Sequence, residues 1–437
     1  MRLSATKNGA ISTGRGLGNE LWDKAGTAPS LDLQFADNKS LVDATTGSNL
    51  VTFTRASSGT FVDSAGVLQT AATDAPRFDH NPTTGESLGL LVEEQRTNLL
   101  LRSEEFDNAS WVKARTSVSF NATTAPNGTA TADALIEDTT ASASHIAYQN
   151  VNVGVAFYTI SVYAKASTRT QFYLRIDTAT QSRVVIFDLT TGTSTNSSGI
   201  VGSVTLAGNG WYRCTATLTA AENCINAVIG LALAGNVSYT GDGTSGIYVW
   251  GAQLEAGAFP TSYIPTTTAA VTRNADVASI TGSAYSSWFT SANENTFYVE
   301  GIKTQANVAN GTFFCGSNNT VNAIVGGWIT YNSTGSKPRF QSRQGSVRGD
   351  TQNNAADLSA GSVFKGALCT STDTFAAVSN GSLVTSAATP VQTDWGTSLA
   401  IGWFPSGGYT GALNGHIRRL TYWPQRLANA TLQTLTQ

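Results

Sequence analysis

Charge is scarce in this sequence. Only 13% of its 437 residues are Asp, Glu, Lys or Arg, about half the roughly 25% of an average soluble protein. The net charge is −3, and no cluster of basic residues is larger than the pair Arg418-Arg419. Duplex-binding proteins carry a basic stripe, so nucleic acid is not expected as the main partner. No apolar run reaches the roughly 18 residues of a membrane-crossing helix, so a membrane partner is not expected. The four cysteines, Cys214, Cys224, Cys315 and Cys369, form no Cys-x-x-Cys pair, and His80, His145 and His416 are scattered. A zinc site needs clustered ligands, so no metal is expected. Cys214 and Cys224 have the option of a bridge between neighbouring strands, but free buried thiols are the expectation for a chain folded in a reducing cytoplasm. Also missing is a Gly-x-x-x-x-Gly-Lys loop.

What fills the space left by charge is Gly, Ser, Thr, Ala and Asn, with 42 glycines and one methionine. Such a surface is solvated by hydroxyls and amides. At this length two or three domains are expected. Period-two alternation begins at Leu31-Asp32-Leu33-Gln34-Phe35 and returns at Val51-Thr52-Phe53. From Trp111 to Pro265 the pattern is all β, with strand candidates at Thr159–Lys165, Gln171–Ile176, Arg183–Leu189, Trp211–Leu218 and Ala227–Leu233, rich in β-branched and aromatic residues. About eight strands at this spacing predict a jelly-roll sandwich. Trp211 and Trp250 lie inside apolar strands and read as core. A second sandwich is predicted from Thr296 onward. In it, Ser379-Asn380-Gly381-Ser382 signals a two-residue hairpin, and Leu427–Leu435 has a short helical period. The fold class is therefore all-β: tandem antiparallel β-sandwiches (jelly rolls) after an N-terminal arm and a small β attachment segment. The expected divisions are an arm over 1–29, the β segment over 30–110, the jelly roll over 111–265, a linker over 266–290 and the second sandwich over 291–437.

The stretch from Thr54 to Phe106 carries the densest signals. Thr60–Val62 and Val67–Gln69 read as strands joined by a turn ending at Gly66. Pro76 keeps Ala75 extended, Asn81–Gly85 is a second turn, and Leu88–Val92 is an apolar strand running into Glu93 and Glu94. Five pieces, Thr54-Arg55-Ala56-Ser57, Phe61-Val62-Asp63, Gly66-Val67, Ala75-Pro76-Arg77-Phe78-Asp79 and Gly89-Leu90-Leu91-Val92-Glu93-Glu94-Gln95-Arg96-Thr97-Asn98-Leu99, together resemble a segment of virion structural proteins of tailed bacteriophages, of the head-spike fibre or tail receptor-binding type. The run Gly246–Gly257 with Thr261–Thr266 resembles the last strand and exit of carbohydrate-binding-module-like domains in phage tail proteins. Gly415–Pro424 with the following helix resembles the end of concanavalin-like (laminin-G-like) domains.

The first resemblance implies a viral surface protein and leaves its place in the virion open; with no catalytic constellation in view, the expectation is a non-enzymatic head spike, fibre or decoration protein, made in the host cytoplasm and displayed on the virion surface. The implied partners are other capsid or tail proteins, host-surface polysaccharide, and further copies of itself, a trimer being the expected homo-oligomer. The first ten residues lack the apolar core of a signal peptide, which fits that route. Two alternatives differ by place or chemistry: a tail fibre or receptor-binding protein at the tail tip, and a tail-spike depolymerase. Glycoside hydrolysis needs two carboxylates facing across a sugar. Glu93-Glu94 and Glu104-Glu105 are chain neighbours pointing to opposite faces, expected as a solvated edge or as partners of Arg55, Arg77 or Arg96. Glu300 lacks the Glu-x-Asp-x-x-Glu pattern of concanavalin-like hydrolases.

Sugar binding needs flat aromatic faces with amide and carboxylate neighbours. Trp328, Tyr331, Trp395, Trp403 and Tyr409 are the aromatic candidates, with Asn380 and Asp394 as polar ones, and core packing is the competing role for each. In the arm, Leu21 and Trp22 are the candidate plug that anchors the protein to a neighbouring virion protein; the other reading of residues 1–29 is a disordered tail. No cofactor is expected. Asp242, in its Gly-Asp-Gly turn, is a turn residue with calcium binding as the sharper option.

Overall fold

The computed structural model describes residues 20–290, 294–304, 311–317, 326–331, 338–344, 347–352, 359–371, 375–386, 396–403 and 411–437. Among these, four sheets of six to eight antiparallel strands account for most of the regular structure, with two small ribbons and four short helices. The fold is all-β. No helix among the described residues is long and apolar enough to cross a membrane.

The jelly roll is built from two six-stranded sheets. One contains Tyr158–Ala166, flanked by Tyr212–Leu218 and Gly246–Ala256. The other contains Glu222–Ala232, flanked by Ile146–Ala156 and Gln171–Asp177. Alternation does the sorting: Ile160, Val162, Leu174, Ile176, Ile229 and Leu254 turn inward and have no exposed surface, while their neighbours turn out. Burial at about 25 cal/mol per Å² of apolar surface holds the two sheets face to face.

The second sandwich is not assembled from the C-terminal half alone. Its eight-stranded sheet runs from Ser382–Ser386 through Val363–Thr370, Asn295–Lys303 and Gly415–Trp423 to Ser87–Val92 and Phe78–His80. Leu31–Leu33 pairs with the far part of Gly415–Trp423. In the seven-stranded sheet, Thr52–Thr54 adds to Val277–Thr281. The small β unit expected over 30–110 therefore has no core of its own. Its apolar residues Leu31, Leu33, Phe53, Leu90 and Val92 enter one cluster with Phe297, Phe314, Leu399 and Leu420. The physical reason is size: three- to six-residue strands cannot bury one another, so they complete sheets begun more than 200 residues later. The jelly roll is thus an insertion within a sandwich made from both ends of the chain. The Arg96–Asn98 and Val271–Arg273 strands pair at the point where the chain leaves and returns.

The expected arm also folds back. Glu20–Ala25 is a short helix that packs on the C-terminal helix Asn429–Leu435, and Leu21 joins Tyr298, Trp423, Leu432 and Leu435 in a satellite core. The hairpin at Asn380-Gly381 is present, with φ of 45° and 76°, the positive values a two-residue turn requires.

Candidate functional site

Three charged residues of the Thr54–Phe106 stretch, Arg55, Arg77 and Glu93, point inward and meet at the junction of the two sandwiches. Arg55 follows the Thr52–Thr54 strand, Arg77 precedes Phe78–His80, Glu93 follows Ser87–Val92, and Arg273 and Asp276 come from the returning chain. Arg55 Nη1 lies 3.1 Å from Asp276 Oδ1, and Arg77 Nη2 pairs with Asp276 Oδ2 and lies 2.8 Å from Glu93 Oε2. Arg273 lies 3.5 Å from the same Glu93 oxygen and donates to the Glu94 carbonyl at 2.8 Å. Arg55, Arg77 and Asp276 have fully buried side chains. Ser262, on the jelly roll's exit, donates to Glu93 from its N–H at 2.7 Å and its hydroxyl at 2.6 Å. Three cations thus share two carboxylates in a buried site, where an unpaired charge is costly.

Burial alone would raise the Glu93 pKa. Arg273, Arg77 and the Ser262 donors overcome it and hold the carboxyl well below the usual range. Burial and the neighbouring Arg77 lower Arg55, while Asp276 and Glu93 outweigh burial at Arg77 and raise it. The depressed Glu93 has a pH consequence. Its contribution is fully present above the unfolded glutamate pKa of about 4.3 and is lost as pH falls below that value towards the folded pKa. The thermal midpoint is expected to be flat from neutrality to about pH 5 and to fall below about pH 4.3. Glu93→Gln should start lower at pH 7 and lose part of that acid slope; an unchanged slope would contradict the assignment.

Around this cluster, Asn98 uses its whole amide. Nδ2 donates to the Ala252 and Ile264 carbonyls, and Oδ1 accepts from Leu100 and Leu254. Trp211, Trp250, Tyr163 and Tyr263 form an aromatic cluster on the outward face of the jelly roll, so the two tryptophans are buried, but in a satellite core between sheet and exit strap. The strap also covers Glu255, whose carboxylate accepts from the N–H and hydroxyl of Thr261. Of the acids weighed for catalysis, Glu94 pairs with Arg96, Glu105 lies 3.0 Å from Arg102, and Glu300 lies 2.8 Å from Arg418. Glu104 is raised by burial, which outweighs donation from Tyr263 and Trp250.

The sugar-site candidates fall in different places. Trp328 and Tyr331 lie on Gly326–Tyr331, where Trp328 stands opposite Cys315 and Gln341. Trp403 packs on Cys315 and Ala400 and donates to the Ala278 carbonyl at 2.9 Å. Asn380 belongs to the other sheet, its Oδ1 accepting from the Lys365 N–H at 2.9 Å. It is a turn residue and does not join Trp403. Trp395, Tyr409 and Asp394 lie outside the described residues. The anchoring pair is engaged internally: Leu21 is 8% exposed and Trp22 Nε1 donates to Asp32 Oδ2 at 2.8 Å. Neither is a free plug, because the short helix has the protein's own C-terminal sheet and helix to dock on. Asp242 caps its turn, accepting from the Thr244 and Ser245 N–H groups, and no group of three metal-binding side chains occurs among the described residues. The four cysteines are buried and unbridged.

Sequence reasoning reached Arg55, Arg77 and Glu93 but not Arg273, Asp276 or Ser262, which lie about 170 to 220 positions away with no local pattern to mark them.

The sequence matches no family profile and no curated protein. Among solved structures, it is similar to the CBM40 domain of the Ruminococcus gnavus IT-sialidase bound to α2,3-sialyllactose, with 13% identity over 34% of this chain and 84% of that chain and a TM-score of 0.30. Domain 4 of AbnA, a GH43 extracellular arabinanase from Geobacillus stearothermophilus, in complex with arabinotriose, gives 15%, 41%, 82% and 0.28. Domains LG4-5 of the mouse laminin α1 chain give 12%, 67%, 88% and 0.26. These neighbours are β-sandwich proteins, and the likeness stops at that architecture.

Proposed function

We propose that this is a non-enzymatic structural and adhesive protein of a bacteriophage virion, a head spike, fibre or decoration protein that projects two locked sandwiches and adheres to host or environmental glycans. The observation that supports it is the use of the phage-like segment. Arg55, Arg77 and Glu93 are internal to a brace between sandwiches, so the segment serves rigidity, and contact with the outside falls to a surface rich in hydroxyls and amides. Glycan contacts on such a surface are individually weak and gain strength from repeated copies, which favours a homo-oligomer, with a trimer as the proposed state.

Antibody raised against the purified protein should label intact virions of the phage that encodes it, at the capsid for the head-spike reading and at the tail tip for the receptor-binding reading. Absence of label from both would overturn the virion assignment. Incubation with host polysaccharide should release no new reducing ends; their release, abolished by changing one acid, would make it a depolymerase.

A further inference from the structure

Among the half-buried arginines of the jelly roll, one lacks a carboxylate. Arg169 is paired with Glu137, Arg175 lies 2.9 Å from Asp177, and Arg183 lies 2.8 Å from Glu222. Arg213, on the outward face of Tyr212–Leu218, forms no salt bridge among the described residues. Its Nη2 donates to the Ser161 hydroxyl at 3.1 Å, its Nε is buried without a hydrogen bond, and its guanidinium lies 5.6 Å from the centre of the Tyr163 ring. The ring holds the guanidinium in place without neutralising it.

The surroundings extend this pattern. Tyr163 stands opposite Arg213 in register, and Lys165, two residues on, projects to the same face. Lys165 lies against the Gly208–Gly210 turn and likewise forms no salt bridge among the described residues. Nearby carboxylates are occupied. Asp79 accepts from Val62 N–H and contacts His416, Asp63 accepts from Ala65, Val67 and Gln69, and Glu255 is held by Thr261. On the other side of Arg213, the edge strand Ile200–Leu206 presents Ser203 and Thr205, both exposed, opposite Thr215 and Arg213. Two cations without salt bridges among the described residues thus lie beside the hydroxyls of Ser203 and Thr205, the former hydrogen-bonded to the Thr215 hydroxyl.

We propose that this face of the jelly roll binds a carboxylated saccharide, with Arg213 taking the carboxylate, Lys165 adding charge, and Ser203 and Thr205 contacting ring hydroxyls. A planar guanidinium fork matches a carboxylate better than an ammonium does. The inference rests on the glycan-adhesion reading and names its ligand class; it does not depend on where in a virion the protein sits.

The test is calorimetric titration of the full chain with oligogalacturonate and with a neutral galacto-oligosaccharide of the same length. The acidic ligand should bind more tightly, and weaken as salt rises. Arg213→Gln should reduce its affinity at least tenfold, Arg213→Lys should fall between, and Lys165→Gln should lose several-fold. Thr205→Glu supplies a carboxylate opposite Arg213 on an exposed edge strand, so it should block binding while keeping the thermal midpoint. Equal binding of neutral and acidic ligand, or unchanged affinity in both Arg213→Gln and Thr205→Glu, would overturn the site while leaving glycan adhesion standing. Failure of the wild-type chain to bind either ligand, or any member of a broad glycan panel, would overturn both.

Discussion

Asp276→Asn is expected to cost roughly 3–5 kcal/mol of stability, the range for breaking one side of a buried ion pair. The substitution keeps the shape and an acceptor for the Glu93 N–H, which Asp276 Oδ2 takes at 2.9 Å. It removes the charge that Arg55 and Arg77 face and that Arg273 approaches at 3.8 Å. Arg77 and Arg273 would then share Glu93, and the fully buried Arg55 would lose the carboxylate it faces. The measurement is the denaturant midpoint of the full chain. A second variant separates the lost charge from simple disturbance of packing: adding Arg55→Met to Asp276→Asn removes the stranded cation and should restore part of the loss. A change under about 1 kcal/mol for Asp276→Asn would place the network among ion pairs of little consequence.

Gly89→Ala is expected to destabilise by at least about 3 kcal/mol, combining backbone strain with a collision that cannot relax. Gly89 has φ of +93°, and a Cβ there would overlap the Ile417 carbonyl oxygen and lie 2.9 Å from Arg418 Cα. These are backbone atoms of the central strand Gly415–Trp423, so the Ser87–Val92 strand would have to leave the sheet. Gly26 is the control. Its φ is +70° with nothing within 4 Å, so Gly26→Ala should carry only the left-handed penalty of about 1–2 kcal/mol. Equal losses at the two positions would show that close strand approach is not what position 89 requires.

Fold class and strands were legible in the sequence because period two is a local signal. The hairpin at Asn380-Gly381, the turn at Asp63–Gly66 and the inward alternation of Ile160 and Val162 all express it. Connectivity was not legible. Leu33 and Phe53 read as core residues of some sheet, but nothing near them says that Leu420 or Ala278 is the partner. The same limit applies to the brace. Arg55, Arg77 and Glu93 announce themselves as charges in a charge-poor chain, and a solvated edge or pairing with Arg55, Arg77 or Arg96 stood open for Glu93, yet Asp276 sits in a stretch that reads as linker. The anchoring role of Leu21 and Trp22 failed for a related reason: an amphipathic scrap shows that an apolar face will be covered, but not whether another protein or the same chain covers it.

The central structural claim is that the Thr54–Phe106 stretch locks both sandwiches into one unit, and differential scanning calorimetry of the full chain at pH 7 tests it most directly. The account predicts one cooperative transition with calorimetric and van't Hoff enthalpies equal, replaced in Asp276→Asn by a lower-temperature, broadened or split transition. Two well-separated transitions in the wild-type chain, unmoved by Asp276→Asn, would contradict it.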